Sequence, residues 1–95
     1  MSIMFQRKVY KYKIDLNAYQ QKTVVVAPDP QRVTLFAAQG SVLFVWVEVF
    51  QDRPEKAAEF VVYATGQEIE EGDSWVGSCQ AGAFVWHLYQ RGGWD

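Results

Sequence analysis

The chain is poor in the residues that build catalytic and metal centres. It has one cysteine, Cys79, and one histidine, His87. A single cysteine excludes an intrachain disulfide, and a small secreted domain leans on such staples, so a reducing, cytoplasmic setting is expected. One histidine and one cysteine fall short of the three or four ligands zinc requires, so no metal is expected. Hydrophobic runs are short as well. The longest, Val42 to Val47, cannot span a bilayer, and no membrane association is expected. The N-terminus turns polar at Gln6-Arg7-Lys8 and lacks the charged-then-apolar pattern of an export signal. No excess of charge of either sign is present: the formal net charge is −2. A global basic field that would draw in duplex nucleic acid is therefore missing.

What remains is a chain of 95 residues, enough for one domain and one core. Aromatic residues make up 16% of it. Few large side chains then suffice to fill the core of so small a protein. The periodicity is that of strands. Segments from Phe5 to Ile14, Lys22 to Ala27, Val33 to Ala38, Val42 to Phe50, Phe60 to Thr65, Ser74 to Cys79 and Ala83 to Gln90 are rich in β-branched and aromatic residues. Pro28-Asp29-Pro30, Gln39-Gly40-Ser41 and Ala81-Gly82 punctuate them. Ala57-Ala58-Glu59 reads as a helical turn within a loop, and Gly92-Gly93 opens a frayed tail from about residue 91. The fold class is all-β: six or seven antiparallel strands in a small sandwich or partly open barrel.

Val42 to Phe50 has unusual faces. Leu43, Val45, Val47 and Val49 occupy one parity; Val42, Phe44, Trp46 and Phe50 occupy the other, with Glu48 the one charge. Both faces call for cover, which points to a second layer or a second copy of the chain, and a homo-oligomer is the expectation.

Cys79 and His87 invite a nucleophilic dyad. A turn at Ala81-Gly82 sets Cys79 opposite Phe84; a loop of Gln80-Ala81-Gly82 sets it opposite Ala83. Either leaves His87 three or four positions away, roughly 10–13 Å at strand rise, so no dyad is expected. A one-residue slip there exchanges the faces of Trp86 and His87. Glu68, Glu70, Glu71 and Asp73 read as a solvated acidic loop, without the ligand spacing of a calcium site. No catalytic residue and no cofactor are assigned. The candidates are ligand-binding. Tyr63 and Trp75 offer aromatic faces for stacking a base. Lys11, Lys13, Arg53 and Arg91 offer charge for phosphates, and His87 with Thr65-Gly66 offers directed hydrogen bonds. Lys11 and Lys13 also suit an edge strand, where lysine discourages sheet-to-sheet association.

Tyr63-Ala64-Thr65-Gly66-Gln67-Glu68-Ile69, Val76-Gly77-Ser78 and Gly82-Ala83-Phe84-Val85-Trp86-His87-Leu88-Tyr89 resemble a family of short phage and prophage proteins of unknown function. The likeness runs from about Val9 to Gln90. The first block in that family often reads Gly-Thr-Gly-His-Pro and an aliphatic residue; Ala64, Gln67 and Glu68 depart from it here. The resemblance implies a protein acting in the cytoplasm of an infected bacterium. The expected function is sequestration of a small nucleotide-derived immune signal at a homo-oligomer interface. The alternatives are a protein-binding inhibitor of a host defence enzyme, docking through the acidic loop, and a minor virion or assembly protein. An enzyme working with His87 and Tyr63 in a subunit cleft is the remaining reading.

Overall fold

The computed structural model describes residues 6–95; Phe5, where the first strand was expected to begin, lies outside them. Seven strands form: β1 (Arg7–Ile14), β2 (Lys22–Pro28), β3 (Pro30–Gln39), β4 (Val42–Phe50), β5 (Glu55–Ala64), β6 (Asp73–Ala81) and β7 (Phe84–Arg91). They make two antiparallel sheets, a three-stranded one in the order β1-β4-β3 and a four-stranded one in the order β2-β5-β7-β6. The two face each other as an unclosed sandwich, in agreement with the all-β expectation. No helix among the described residues is long and apolar enough to cross a membrane.

Alternation drives the assembly. Leu43, Val45, Val47 and Val49 of β4 are fully buried, as are Phe60, Val62 and Leu88 of the facing sheet. Ile14, Val25, Ala27, Phe36 and Ala58 complete the same core. Each large side chain taken fully from water contributes about 1.5–3 kcal/mol, so this layer supplies most of the driving force. The opposite parity of β4 is only half-buried, and among the described residues no second layer covers it.

Two strands carry bulges, and both re-aim side chains. In β3, Val33 pairs Val47 and Leu35 pairs Trp46, so Thr34 is the extra residue and Leu35 turns outward. In β6, Trp75 pairs Tyr89 and Gly77 pairs Leu88, so Val76 is extra. Trp75 and Ser78, three apart, thereby share one face.

Three sequence expectations change. The β6–β7 turn is Gly82-Ala83, which pairs Ala81 with Phe84 and Cys79 with Trp86, not with Phe84 or Ala83. Gly82 makes this possible by taking φ +61°. Residues 57–59 are not a helical turn but part of β5, held in register by β2. The tail is not frayed. Gly92, at φ +73°, bends the chain so that Asp95 exchanges two backbone hydrogen bonds with Ala57, at 2.7 and 2.8 Å. Trp94 then packs edge-on against Phe60, ring centroids 5.7 Å apart.

Removing residues 92–95 should therefore lower the free energy of unfolding by about 2–3 kcal/mol, through lost aromatic packing and two lost hydrogen bonds. Urea denaturation measures it; a change within about 0.5 kcal/mol would mean the tail contributes nothing.

Candidate functional site

The four-stranded sheet turns one face to the core and one outward. Pairing across β5, β7 and β6 arranges the outer face in rows: Glu59, Arg91 and Asp73; Val61, Tyr89 and Trp75; Tyr63, His87 and Ser78. Six of the nine residues expected to bind a ligand gather here or at its edge: Tyr63, Thr65, Gly66, Trp75, His87 and Arg91.

The first group is a hydrogen-bonded row. The Trp75 indole N–H donates to Ser78 Oγ at 3.1 Å. Ser78 Oγ meets His87 Nδ1 at 2.8 Å, and His87 Nε2 meets Thr65 Oγ1 at 3.0 Å. An indole can only donate, so the order in which Ser78 and His87 each accept from one neighbour and donate to the next runs Trp75, Ser78, His87, Thr65 and assigns the proton of His87 to Nε2. Thr65 reaches His87 because Gly66, at φ +91°, turns the chain sharply after β5, closed by Gln67 N–H donating to Ala64 C=O at 3.1 Å. Trp75 itself is 62% exposed. It is an open aromatic surface with its orientation already tied down.

The second group is a buried ion pair. Asp73, its side chain 1% exposed, accepts from Arg91 Nε at 2.9 Å and Nη2 at 3.0 Å. The Tyr63 hydroxyl donates to Asp73 at 2.5 Å and accepts from the Glu70 backbone N–H at 3.3 Å and from Arg91 at 3.4 Å. Glu70 adds a carboxylate 3.2 Å from Arg91. The Arg91 guanidinium holds the Asp73 carboxyl below the usual carboxylate range, reinforced by the Tyr63 hydroxyl, while burial and Asp73 push the Tyr63 hydroxyl up. Asp73 raises the Arg91 guanidinium further in turn. A cleft of about 250 Å3 lies above this group, bordered by Gln20, Gln21, Tyr63, Gln67 and Glu70. Tyr89 stands edge-on to Tyr63, 5.4 Å between centroids.

Two readings of the sequence are corrected here. The acidic stretch is not uniformly solvated, since Asp73 is buried and Glu70 is engaged. Arg91 is committed to two carboxylates, so it is no phosphate anchor. The Cys79–His87 dyad is absent for a different reason from the one expected. The two residues occupy adjacent rows, not places 10–13 Å apart along the hairpin, but they point to opposite faces. Cys79 packs against the core, and burial pushes its thiol up, away from the reactive thiolate. Each ring nitrogen of His87 meets a hydroxyl, so the carboxylate that orients the base of a nucleophilic triad is missing among its hydrogen bonds. No group of three or more His, Cys, Asp or Glu side chains converges on a metal position among the described residues.

Lys11, Lys13 and Arg53 lie elsewhere. Lys11 and Lys13 are on the outer face of β1, an edge strand of the other sheet. Arg53 belongs to the corner at the far end of β5. There it bonds Asp29 at 2.7 Å and lies 4.2 Å over the Phe50 ring. Sequence reasoning missed Ser78, Asp73 and Tyr89 as members of the outer face. Their roles follow from pairing across β6 and β7, which only the turn and the bulge determine.

The fold and this face define a two-sheet β domain with an ordered aromatic and hydroxyl surface. Residues 5–93 match a single family model, a domain of unknown function designated DUF7352, and the chain belongs to that family. Neither the curated proteins nor the solved structures yield a match.

Asp73→Asn should cost about 2–3 kcal/mol at pH 7, because it leaves the Arg91 charge half-paired in a largely buried place. The folded-state pKa of Asp73 is depressed, so its contribution is present above the unfolded value near 3.9 and disappears as pH falls through the folded one. Urea midpoints of wild type and variant should therefore converge below about pH 4; a constant gap down to pH 2 would contradict the pairing.

Proposed function

We propose that the chain is a non-enzymatic binding protein whose working surface is the outer face of the four-stranded sheet. It takes a small nucleotide-like ligand there, between copies of the chain. The observation that carries this reading is Trp75: exposed, yet fixed by Ser78 beside a row of hydrogen-bonding groups. An aromatic surface already ordered before binding loses little entropy on stacking a base, and His87, Ser78 and Thr65 supply directional partners at its edge.

The charges of this face are internally paired, Arg91 with Asp73 and Glu70, Lys22 with Glu59 at 3.6 Å. Recognition thus rests on stacking and hydrogen bonding to a base, with phosphates turned away from the sheet. Val24, Val26 and Val85 are exposed on the same face, at 55, 48 and 40%. A second copy covering them would close the site, and paired charges present no barrier to such a contact. The likeness of the Tyr63–Ile69 and Gly82–Tyr89 blocks to phage proteins supports a role in an infected bacterium: removal of a nucleotide-derived immune signal. Docking of the acidic loop on a host enzyme is less well supported, since Glu70 and Asp73 are already bound to Arg91.

Thermal unfolding with cyclic dinucleotides, ADP-ribose derivatives and mononucleosides tests the reading. A ligand at a hundred times its Kd adds about 2.7 kcal/mol, a rise of about 10 °C or more in Tm for a domain this size. Trp75→Ala, a change at an exposed position, should abolish the rise. No shift with any compound, or an equal shift in the variant, would contradict the proposal.

A further inference from the structure

The other sheet has an outer face of a different character. Its rows across β1, β4 and β3 read Val9, Glu48 and Arg32; Lys11, Trp46 and Leu35; Lys13, Phe44 and Ala37, with Arg7 beside Phe50. Aromatic rings run down the central strand and cations run along one edge. Phe44 and Trp46 lie 6.0 Å apart between centroids. Val9 and Leu35 flank them, each 51% exposed.

Arg7, Lys11, Lys13 and Arg32 stand against Glu48, four cations to one carboxylate, in a chain whose net charge is −2. Glu48 fixes Arg7 at 3.3 Å and Arg32 at 3.4 Å. Lys11 has neutral partners: its Nζ bonds Gln39 Oε1 at 3.0 Å and lies 4.5 Å over the Phe44 ring. Edge protection accounts for lysines on β1 but not for the rings beside them.

We infer that this face binds single-stranded nucleic acid, its bases stacking on Phe44 and Trp46 and its phosphates following Lys13, Lys11 and Arg7 along β1. Aromatic stacking with a flanking row of cations is the general chemistry of single-strand binding. The spacing fits. Alternate residues of an antiparallel strand repeat every ~6.8 Å, about twice the ~3.4 Å between charges on one strand of a duplex, a separation that an unstacked, extended strand reaches. A duplex hides its base faces and has nothing to give the two rings. A second copy fits poorly: a two-fold contact would press a face of formal charge +3 against itself. The inference is independent of the Trp75 site, which lies on the other sheet.

Fluorescence anisotropy with labelled 12-residue oligothymidine and oligouridine, titrated over a range of salt, tests it. Both should bind at low salt, and a duplex of equal length should bind at least tenfold more weakly. Lys11→Gln with Lys13→Gln should weaken binding about tenfold and flatten the slope of log K against log salt by about 1.4, since each single-strand contact contributes about 0.7. Trp46→Ala should also weaken binding about tenfold while leaving that slope unchanged, and circular dichroism confirms that it folds. The lysine pair lies in solvent, so it remains informative if the tryptophan variant unfolds. No binding at low salt, equal affinity for duplex, or a Lys11/Lys13 variant that binds like wild type would overturn the inference. So would light scattering that shows a dimer dissociated by these substitutions.

Discussion

Leu43, Val45, Val47 and Val49 share one dry layer with Phe60, Val62 and Leu88, and the rest of the molecule follows from that layer. Side chains on a strand alternate, so burying one parity commits the other to the outside. Phe44 and Trp46 are outward because Val45 and Val47 are inward. Tyr63 and His87 are outward because Val62 and Leu88 are inward. A slip of one residue would bury His87 and expose Leu88, at the cost of an unsatisfied imidazole and a lost apolar contact. The core thus sets the chemistry of both surfaces without touching either.

Departures from regular strand geometry finish the work. Were β6 regular at Val76, with that residue paired in register, Trp75 and Ser78 would point to opposite faces and the indole N–H would have no Ser78 to bind. Were β3 regular there, Thr34 would oppose Trp46 and Leu35 would turn to the core opposite Val45. The two bulged strands, β3 and β6, adjoin each other at the open edge of the sandwich, where a Cβ added at Gly77 would lie 3.4 Å from Phe36 Cβ. Close approach of the two sheets there leaves little room for a larger residue at position 77.

Much of this was legible in the chain. The Val42–Phe50 run was legible as a covered strand with two apolar parities, though not which of the two faces the core. The hairpin across Gln39-Gly40-Ser41 and the edge position of the lysine-bearing first strand were equally readable. Contacts that need strand register were not. Asp73 and Arg91 are eighteen residues apart and meet only because the Gly82-Ala83 turn aligns β6 with β7. The same turn decides that His87 meets Ser78, where sequence counting set Cys79 opposite Phe84 or Ala83. Arg91 looked like a phosphate anchor because its carboxylates were hidden in what read as a solvated loop. The docked tail was obscured by Gly92-Gly93, a pair that marks a bend as readily as a frayed end. Two outer faces have resulted, one with its charges paired and one with cations in excess.

The hydrogen-bonded row from Trp75 to Thr65 orders the outer face of the four-stranded sheet, and His87 is the one histidine in the chain, so its ring signals need no assignment. Long-range nitrogen–proton correlation of the imidazole at neutral pH reads the row directly. The expected spectrum is one fixed tautomer with the proton on Nε2, lost when Ser78 and Thr65 are both replaced by Ala. A spectrum averaged over both tautomers, the same as that of a free imidazole and unchanged in the variant, would contradict it.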